Sequence, residues 1–334
     1  MTIRIGLIGA GVMGADHARM LSTSVAGADL VAVADADAAR AEKLTALGGG
    51  ACRTFADPIE LIRATDVDAV LIASPDETHK PLVLACLEAE KPVLCEKPLA
   101  RTPADCLEVV AREVELGRRL VQVGFMRRFD PGYVEMRRTV EEGTLGTPLM
   151  MHCIHRNESA LPYTQMEGMI ANTGVHEIDA ARFILDDDVA RTAVVIGRSS
   201  KNARIRDPQL LLMQFSGGAI VDVEIFVNAQ YGYDVRAELV CESGTVSLTP
   251  PHDMTTLHAR REGFTHPADW RPRFTTAYEH ELQSWLAAIR TGRPAGASAW
   301  DGYAAAATAE AALKSQADGA WHDVEMAERP GLYG

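Results

Sequence analysis

The chain has 334 residues, 47% hydrophobic and 24% charged, with 33 basic against 46 acidic side chains and a formal charge of −13. That length exceeds what one hydrophobic core usually supports, so two domains are expected, and an acidic chain without a Lys/Arg cluster argues against a nucleic-acid partner. No run of 18 apolar residues and no basic-then-apolar leader occurs, and six scattered cysteines lack any Cys-x-x-Cys pair, so neither membrane, secretion nor structural zinc is expected and a reducing cytoplasm is.

Ile3 to Ile8 is a β-rich run ending in Gly9-Ala10-Gly11-Val12-Met13-Gly14, after which Ala15 to Leu21 has helical spacing. A glycine fingerprint between a strand and a helix suits a pyrophosphate, because the turn is tight and the backbone must come close to the ligand. The new helix then offers free N–H groups and the positive end of its dipole. Gly9, Gly11, Val12, Met13 and Gly14 are therefore expected to hold a dinucleotide. The next strand, Asp29 to Asp35, ends 21 positions beyond Gly14. A carboxylate there accepts from the adenosine ribose hydroxyls and repels a 2′-phosphate, which favours NAD over NADP. The alternative is that Asp35 only caps the helix starting near Ala38.

Strands and helices go on alternating: a helix at 58–63, a strand at 69–72, a helix at 81–89, a strand at 92–95, a helix at 102–116 and a strand at 120–124. This pattern predicts a doubly wound parallel sheet, an NAD-binding Rossmann domain over residues 1–124. Ser74 and Glu96-Lys97-Pro98 end successive later strands, so both segments are expected to face the nicotinamide half of the cofactor. Pro98 disfavours a helical conformation at Lys97, which predicts an extended amine at the rim of the sheet. A solvated surface lysine is the competing reading.

From residue 125 to 334 the pattern changes to longer strands, at 149–155, 189–197, 209–215, 219–227 and 235–240, with hairpin signals at Ser216-Gly217-Gly218 and Glu242-Ser243-Gly244. A large, open, mostly antiparallel sheet is expected, with helices 275–289 and 299–315 covering it or returning to the first domain. Val221, Val223, Ile225 and Val227 are read as leaving its other face partly apolar, which predicts a homo-oligomer.

Asn172-Thr173-Gly174-Val175-His176-Glu177-Ile178-Asp179 precedes an apolar helical pattern, so His176 is placed at a helix start with 172, 176 and 179 on one face. A histidine between polar neighbours one turn away on either side is the usual construction of a general base. The alternative is a structural histidine at a helix N-terminus. Arg127, His155, Asn157 and Tyr233 follow or join strands, and with Thr173 they supply donors and acceptors suited to a neutral polyhydroxylated ligand. No His/Asp/Glu set has metal-ligand spacing, and there is no Gly-x-Ser-x-Gly.

The glycine fingerprint, Glu96-Lys97-Pro98 and Gly174-Val175-His176-Glu177-Ile178-Asp179, in this order, resemble the glucose-fructose oxidoreductase and inositol dehydrogenase family. Val123 to Asp130, His155-Arg156-Asn157, Tyr231 to Asp234 and Ala299 to Tyr303 are similar to its inositol dehydrogenases in particular. The resemblance spans nearly the whole chain. It implies a usually tetrameric enzyme with NAD as cofactor that oxidises a ring hydroxyl of inositol to a ketone, with Lys97 and His176 matching the catalytic lysine and histidine. Asn172 departs from the pattern, because inositol dehydrogenases of this type place an aspartate four residues before the histidine. An asparagine keeps the shape but loses the charge. It is compatible with another cyclitol or an aldose as substrate, with an inactivating change that leaves an NAD(H)- and sugar-binding protein, or with a role as ligand to substrate hydroxyls.

Overall fold

The structure is a computed structural model that describes residues 2–48, 52–160, 164–248 and 254–334. Its chain divides into two units, Met1–Phe129 with Ala277–Ala306 and Ala327–Gly334, and Asp130–Thr276 with Ala307–Met326. The first unit thus takes in two C-terminal stretches besides its first 129 residues.

In the first unit, β1 (Ile3–Ile8), α1 (Val12–Thr23), β2 (Ala28–Ala34), α2 (Ala38–Thr45), β3 (Arg53–Phe55), α3 (Pro58–Arg63) and β4 (Ala69–Ile72) follow one another. They are succeeded by α4 (His79–Glu88), β5 (Val93–Glu96), α5 (Pro103–Leu116) and β6 (Val121–Gly124). The six strands are all parallel in the order β3-β2-β1-β4-β5-β6. Every residue of β4, β5 and β6 is buried, as expected where helices cover both faces of a parallel sheet. The strand order reverses between β1 and β4, and ligands of such sheets bind at that crevice, outside the carboxyl ends. Beyond β6, Val123 donates to the Ala297 carbonyl at 2.8 Å, so a C-terminal segment closes the sheet edge.

The second unit holds α6 (Pro131–Glu142), β7 (Pro148–Arg156), α7 (Val175–Leu185), β8 (Val189–Ile196), β9 (Gln209–Phe215), β10 (Ile220–Phe226), β11 (Asp234–Cys241) and β12 (Gly244–Ser247). A short hairpin, β13 (Thr256–His258) with β14 (Arg261–Gly263), stands apart from the main sheet. The helices α8 (Trp270–Thr291) and α9 (Ala299–Asp318) each contribute residues to both units, and β15 (His322–Asp323) ends the sheet. Its order is β12-β11-β7-β10-β9-β8-β15, antiparallel throughout except for β7 against β10.

Val221, Val223, Ile225 and Val227 are buried, which corrects their assignment to the outer face. Ile225 and Leu211 meet the turn before α7, and Ser315 of α9 accepts from the Val194 N–H, so this is the helix-covered face. The alternate residues look outward, where Met150, Val195 and Ile220 are exposed. Among the described residues, no helix is long and apolar enough to cross a membrane.

Candidate active site

In the first unit the glycine loop is shaped by close packing. Gly9 has φ +98°, and a Cβ there would lie 2.5 Å from the backbone of Ala73 and Ser74. A Cβ at Gly14 would meet the Gly9 carbonyl. At Gly11, by contrast, it would meet nothing within 4 Å, so protein packing does not demand glycine there, which suits the close approach of a pyrophosphate. Gly11 also begins α1 without a side-chain cap, leaving the first N–H groups of a 12-residue helix to an anion. Val12 and Met13 form its first turn. These observations fit a bound dinucleotide.

Asp35 follows β2 and accepts from the Ala10 N–H at 2.6 Å and the Asp37 N–H at 2.7 Å. The helix-cap reading of Asp35 is not what the structure has, since Asp37 caps α2 through Ala39 and Arg40. Asp35 instead ties the ribose end of the sheet to the glycine loop.

Two histidines that the sequence reading passed over organise the other strand ends. His79 opens α4 and reaches the carbonyls of Pro98 (2.7 Å, Nδ1) and Ser74 (2.9 Å, Nε2), so one ring bridges the loops after β4 and β5. Ser74 Oγ is 2.6 Å from Thr78 Oγ1. His17, fully buried on α1, donates from Nε2 to Glu96 Oε1 at 2.7 Å, and Glu96 is itself only 6% exposed. Burial by itself drives the Glu96 carboxyl up, but the His17 hydrogen bond and the charges of His17, Lys97 and His79 hold it below the usual carboxylate value. The Lys97 N–H donates to Glu96 Oε2 at 3.3 Å, and Lys97, partly exposed, leaves the strand directly after Glu96. Arg127 lies in the 3₁₀ turn after β6 and is buried.

The second unit gathers His155, Tyr233 and His176. Antiparallel pairing sets Val235 opposite His155, which brings Tyr233, just before β11, edge-on to the His155 ring at 5.7 Å between centroids. The His176 ring is 6.2 Å away. His155 Nδ1 lies 3.0 Å from Glu177, and both are buried. An ionised carboxylate only accepts, so Nδ1 donates to Glu177 and the ring orientation is fixed by that bond. Glu177 was not singled out in the sequence; its place beside His176 in the quoted motif was the available signal. Asn157 continues the β7 pairing by donating from its N–H to the Phe226 carbonyl.

His176 is the second residue of α7, but Met169–Gly174 before it is π-helical. The expected α-helical face uniting 172, 176 and 179 is therefore interrupted, because i→i+5 bonding sets residues five apart in line. Asn172 and Thr173 sit on this π turn, with Asn172 exposed and Asp179 buried. A Cβ at Gly174 would lie 2.9 Å from Ile225, so only a small residue lets the turn lie against the sheet. Such π segments occur frequently at functional sites.

A glycine loop over a parallel sheet, a carboxylate after β2 tied to that loop and a lysine at the carboxyl end of β5 together fit a nicotinamide-nucleotide oxidoreductase. Residues 3–125 match the NAD-binding Rossmann fold of the oxidoreductase family and residues 137–325 match that family's C-terminal alpha/beta domain. The chain belongs to the glucose-fructose oxidoreductase and inositol dehydrogenase family. It is 52% identical to inositol 2-dehydrogenase 1 of Saccharopolyspora erythraea and 43% identical to inositol 2-dehydrogenase of Ralstonia nicotianae, over the whole of this chain and at least 99% of theirs. The structure of myo-inositol dehydrogenase from Lactobacillus casei, in complex with NAD(H) and myo-inositol, superposes with a TM-score of 0.96 at 32% identity, each chain fully covered.

Replacing Asp35 by serine is expected to raise the kcat/KM ratio of NADP to NAD by about ten- to a hundredfold, the worth of one charged hydrogen-bonding group. Steady-state kinetics with both cofactors check it. An unchanged ratio would remove Asp35 from cofactor selection.

Proposed function

We propose that this protein is an NAD-dependent dehydrogenase that oxidises a ring hydroxyl of myo-inositol, or a close cyclitol, to the ketone. What carries the reading is full-length similarity to inositol 2-dehydrogenases together with the Glu96-Lys97-Pro98 and Gly174–Asp179 motifs, whose resemblance to the family implies Lys97 and His176 as its catalytic pair. NAD, when bound, supplies the hydride acceptor, with Gly9, Gly11, Val12, Met13, Gly14 and Asp35 holding its phosphate and ribose parts and Ser74, Glu96 and Lys97 its nicotinamide half. His176 takes the hydroxyl proton as hydride leaves the same carbon. Lys97 donates a hydrogen bond to that oxygen and stabilises the charge developing on it. Arg127, His155, Asn157, Thr173 and Tyr233 hold the remaining hydroxyls, with Glu177 orienting the His155 ring.

Asn172 is assigned as a ligand to a substrate hydroxyl that also tunes His176. A panel of myo-inositol, scyllo-inositol and aldoses, followed by NADH absorbance, is expected to give highest kcat/KM on myo-inositol. In Asn172→Asp a new negative charge on the turn leading into α7 favours the imidazolium of His176, so the pH at which kcat/KM rises should move upward. Turnover on none of these polyols, restored by Asn172→Asp, would instead make the chain a cofactor- and sugar-binding protein.

The exposed Met150, Val195 and Ile220 of the second sheet support a homotetramer built through that face. Light scattering at micromolar concentration should give four times the chain mass, and a monomer would overturn it. Six free cysteines accord with work in a reducing cytoplasm.

A further inference from the structure

The first unit has a cavity of about 640 Å³ on the side of the sheet away from the glycine loop. It is lined by Pro92 and by Leu120 to Gln122, where β5 and β6 begin, whereas Glu96 and Lys97 stand where β5 ends; in a parallel sheet these are opposite edges. Its size is that of a small-molecule site. Trp285, Ile289 and Leu332 supply apolar lining.

Two polar groups in this wall lack the partners that burial demands. Gln122 is 3% exposed, and neither its carboxamide oxygen nor its nitrogen has a hydrogen-bond partner among the described residues. A buried amide in that state is destabilising, and native chains rarely keep one without a use. Gly296 packs close against it, since a Cβ there would lie 2.9 Å from the Gln122 carboxamide carbon. Arg119 stacks on Tyr333, with its guanidinium carbon 5.6 Å from the ring centroid, and its buried Nε also has no partner among the described residues.

The nearby acidic groups are already engaged. Glu113 accepts from the N–H groups of Leu120 and Val121 and from the Tyr333 hydroxyl, and Glu90 pairs with Arg118. Arg119, whose charge also acts on Glu113, therefore keeps hydrogen-bonding capacity at its guanidinium beside an amide donor and an apolar wall. We propose that this cavity binds a small monocarboxylate with an apolar body, its carboxylate accepting from Arg119 and Gln122 and its body lying on Trp285, Ile289 and Leu332. One guanidinium and one amide match a single carboxylate, whereas a phosphate dianion needs more donors than these two supply, since Arg118 is already paired with Glu90.

Benzoate serves as the probe, observed by saturation-transfer NMR on the NAD-loaded full-length protein, with benzyl alcohol, inorganic phosphate and myo-inositol as controls. The expected result is transfer to benzoate and not to benzyl alcohol, undiminished by phosphate or myo-inositol at equal concentration. Arg119→Met and Gln122→Leu should each weaken benzoate about tenfold or more with NAD affinity and polyol turnover unchanged. Gln122→Leu should also raise thermal stability, because it removes an unsatisfied buried amide.

No transfer to benzoate, or equal transfer to benzyl alcohol, would overturn the site. Displacement by phosphate would overturn the ligand class, and displacement by myo-inositol would move benzoate to the polyol site. These arms use the wild-type chain, so they decide the matter whether or not a variant folds. Unchanged benzoate binding in both variants would equally refute the assignment.

Discussion

Lys97→Ala is expected to lower kcat for polyol oxidation by about 10²- to 10⁴-fold, the range for losing one positioned group that moves or stabilises a proton, with a smaller loss of NAD affinity. The expectation follows from the place of Lys97. It leaves β5 directly after Glu96, and Glu96 Oε2 accepts from its N–H, so backbone and cation start from a fixed point at the carboxyl edge of the sheet. The carbonyl of the next residue, Pro98, is fixed in turn by His79. A cation there favours the transition state, in which the substrate oxygen gains charge, over the neutral alcohol, so the loss should appear in kcat and not in KM alone. Pre-steady-state hydride transfer and cofactor titration separate the two. A variant with raised KM and intact kcat would reduce Lys97 to a binding residue.

His17→Leu should destabilise the first unit by about 3–5 kcal/mol, the cost of stripping a buried charge of its partner. For a domain of this size that is roughly 6 to 20 °C in Tm. In the native protein the Glu96 carboxyl is held below its ordinary value. Its stabilisation is then fully present above the unfolded carboxylate value, about 4.3, and is lost as the pH falls through the lower folded value. Without His17 the burial effect, which pushes the carboxyl up, loses its largest counterweight. The folded value should rise past the unfolded one, so the sign inverts and stability falls as pH rises from 5 to 7. Denaturation of His17→Leu and of the His17→Leu/Glu96→Gln pair across that interval reads the difference, with the slope expected to vanish in the pair. A variant within 1 kcal/mol of wild type at pH 7 would show that Glu96 does not depend on His17.

Much of the first unit is written locally. The all-apolar strands and the glycine fingerprint each depend on a few neighbouring residues and appear where the pattern puts them, while Thr102, read as the start of the 102–116 helix, is its N-cap. β3 escaped because it has three residues, two of them exposed, and so no burial pattern to read. α6 had a signal that went unused: Asp130 caps it through the Gly132 and Tyr133 N–H groups, with proline at its first position. The face of β10 was misassigned because alternation shows that two faces differ, not which of them the helices cover.

The amino-acid sequence by itself determined where the nucleotide loop lies, which residues end the strands around it, and that a lysine and a histidine are the reactive candidates. These are properties of period and of short-range backbone preference. Only the tertiary structure decided that His17 meets Glu96, that His79 spans two loops, that Glu177 orients His155, and that a π turn precedes His176. It also decided that β10 lies parallel beside β7 and that C-terminal segments belong to the first unit. Partners 22 or 79 residues apart leave no trace in local periodicity. A buried polar group is matched by whichever complementary group the packing of sheets and helices delivers, and that choice exists only once the whole chain has folded.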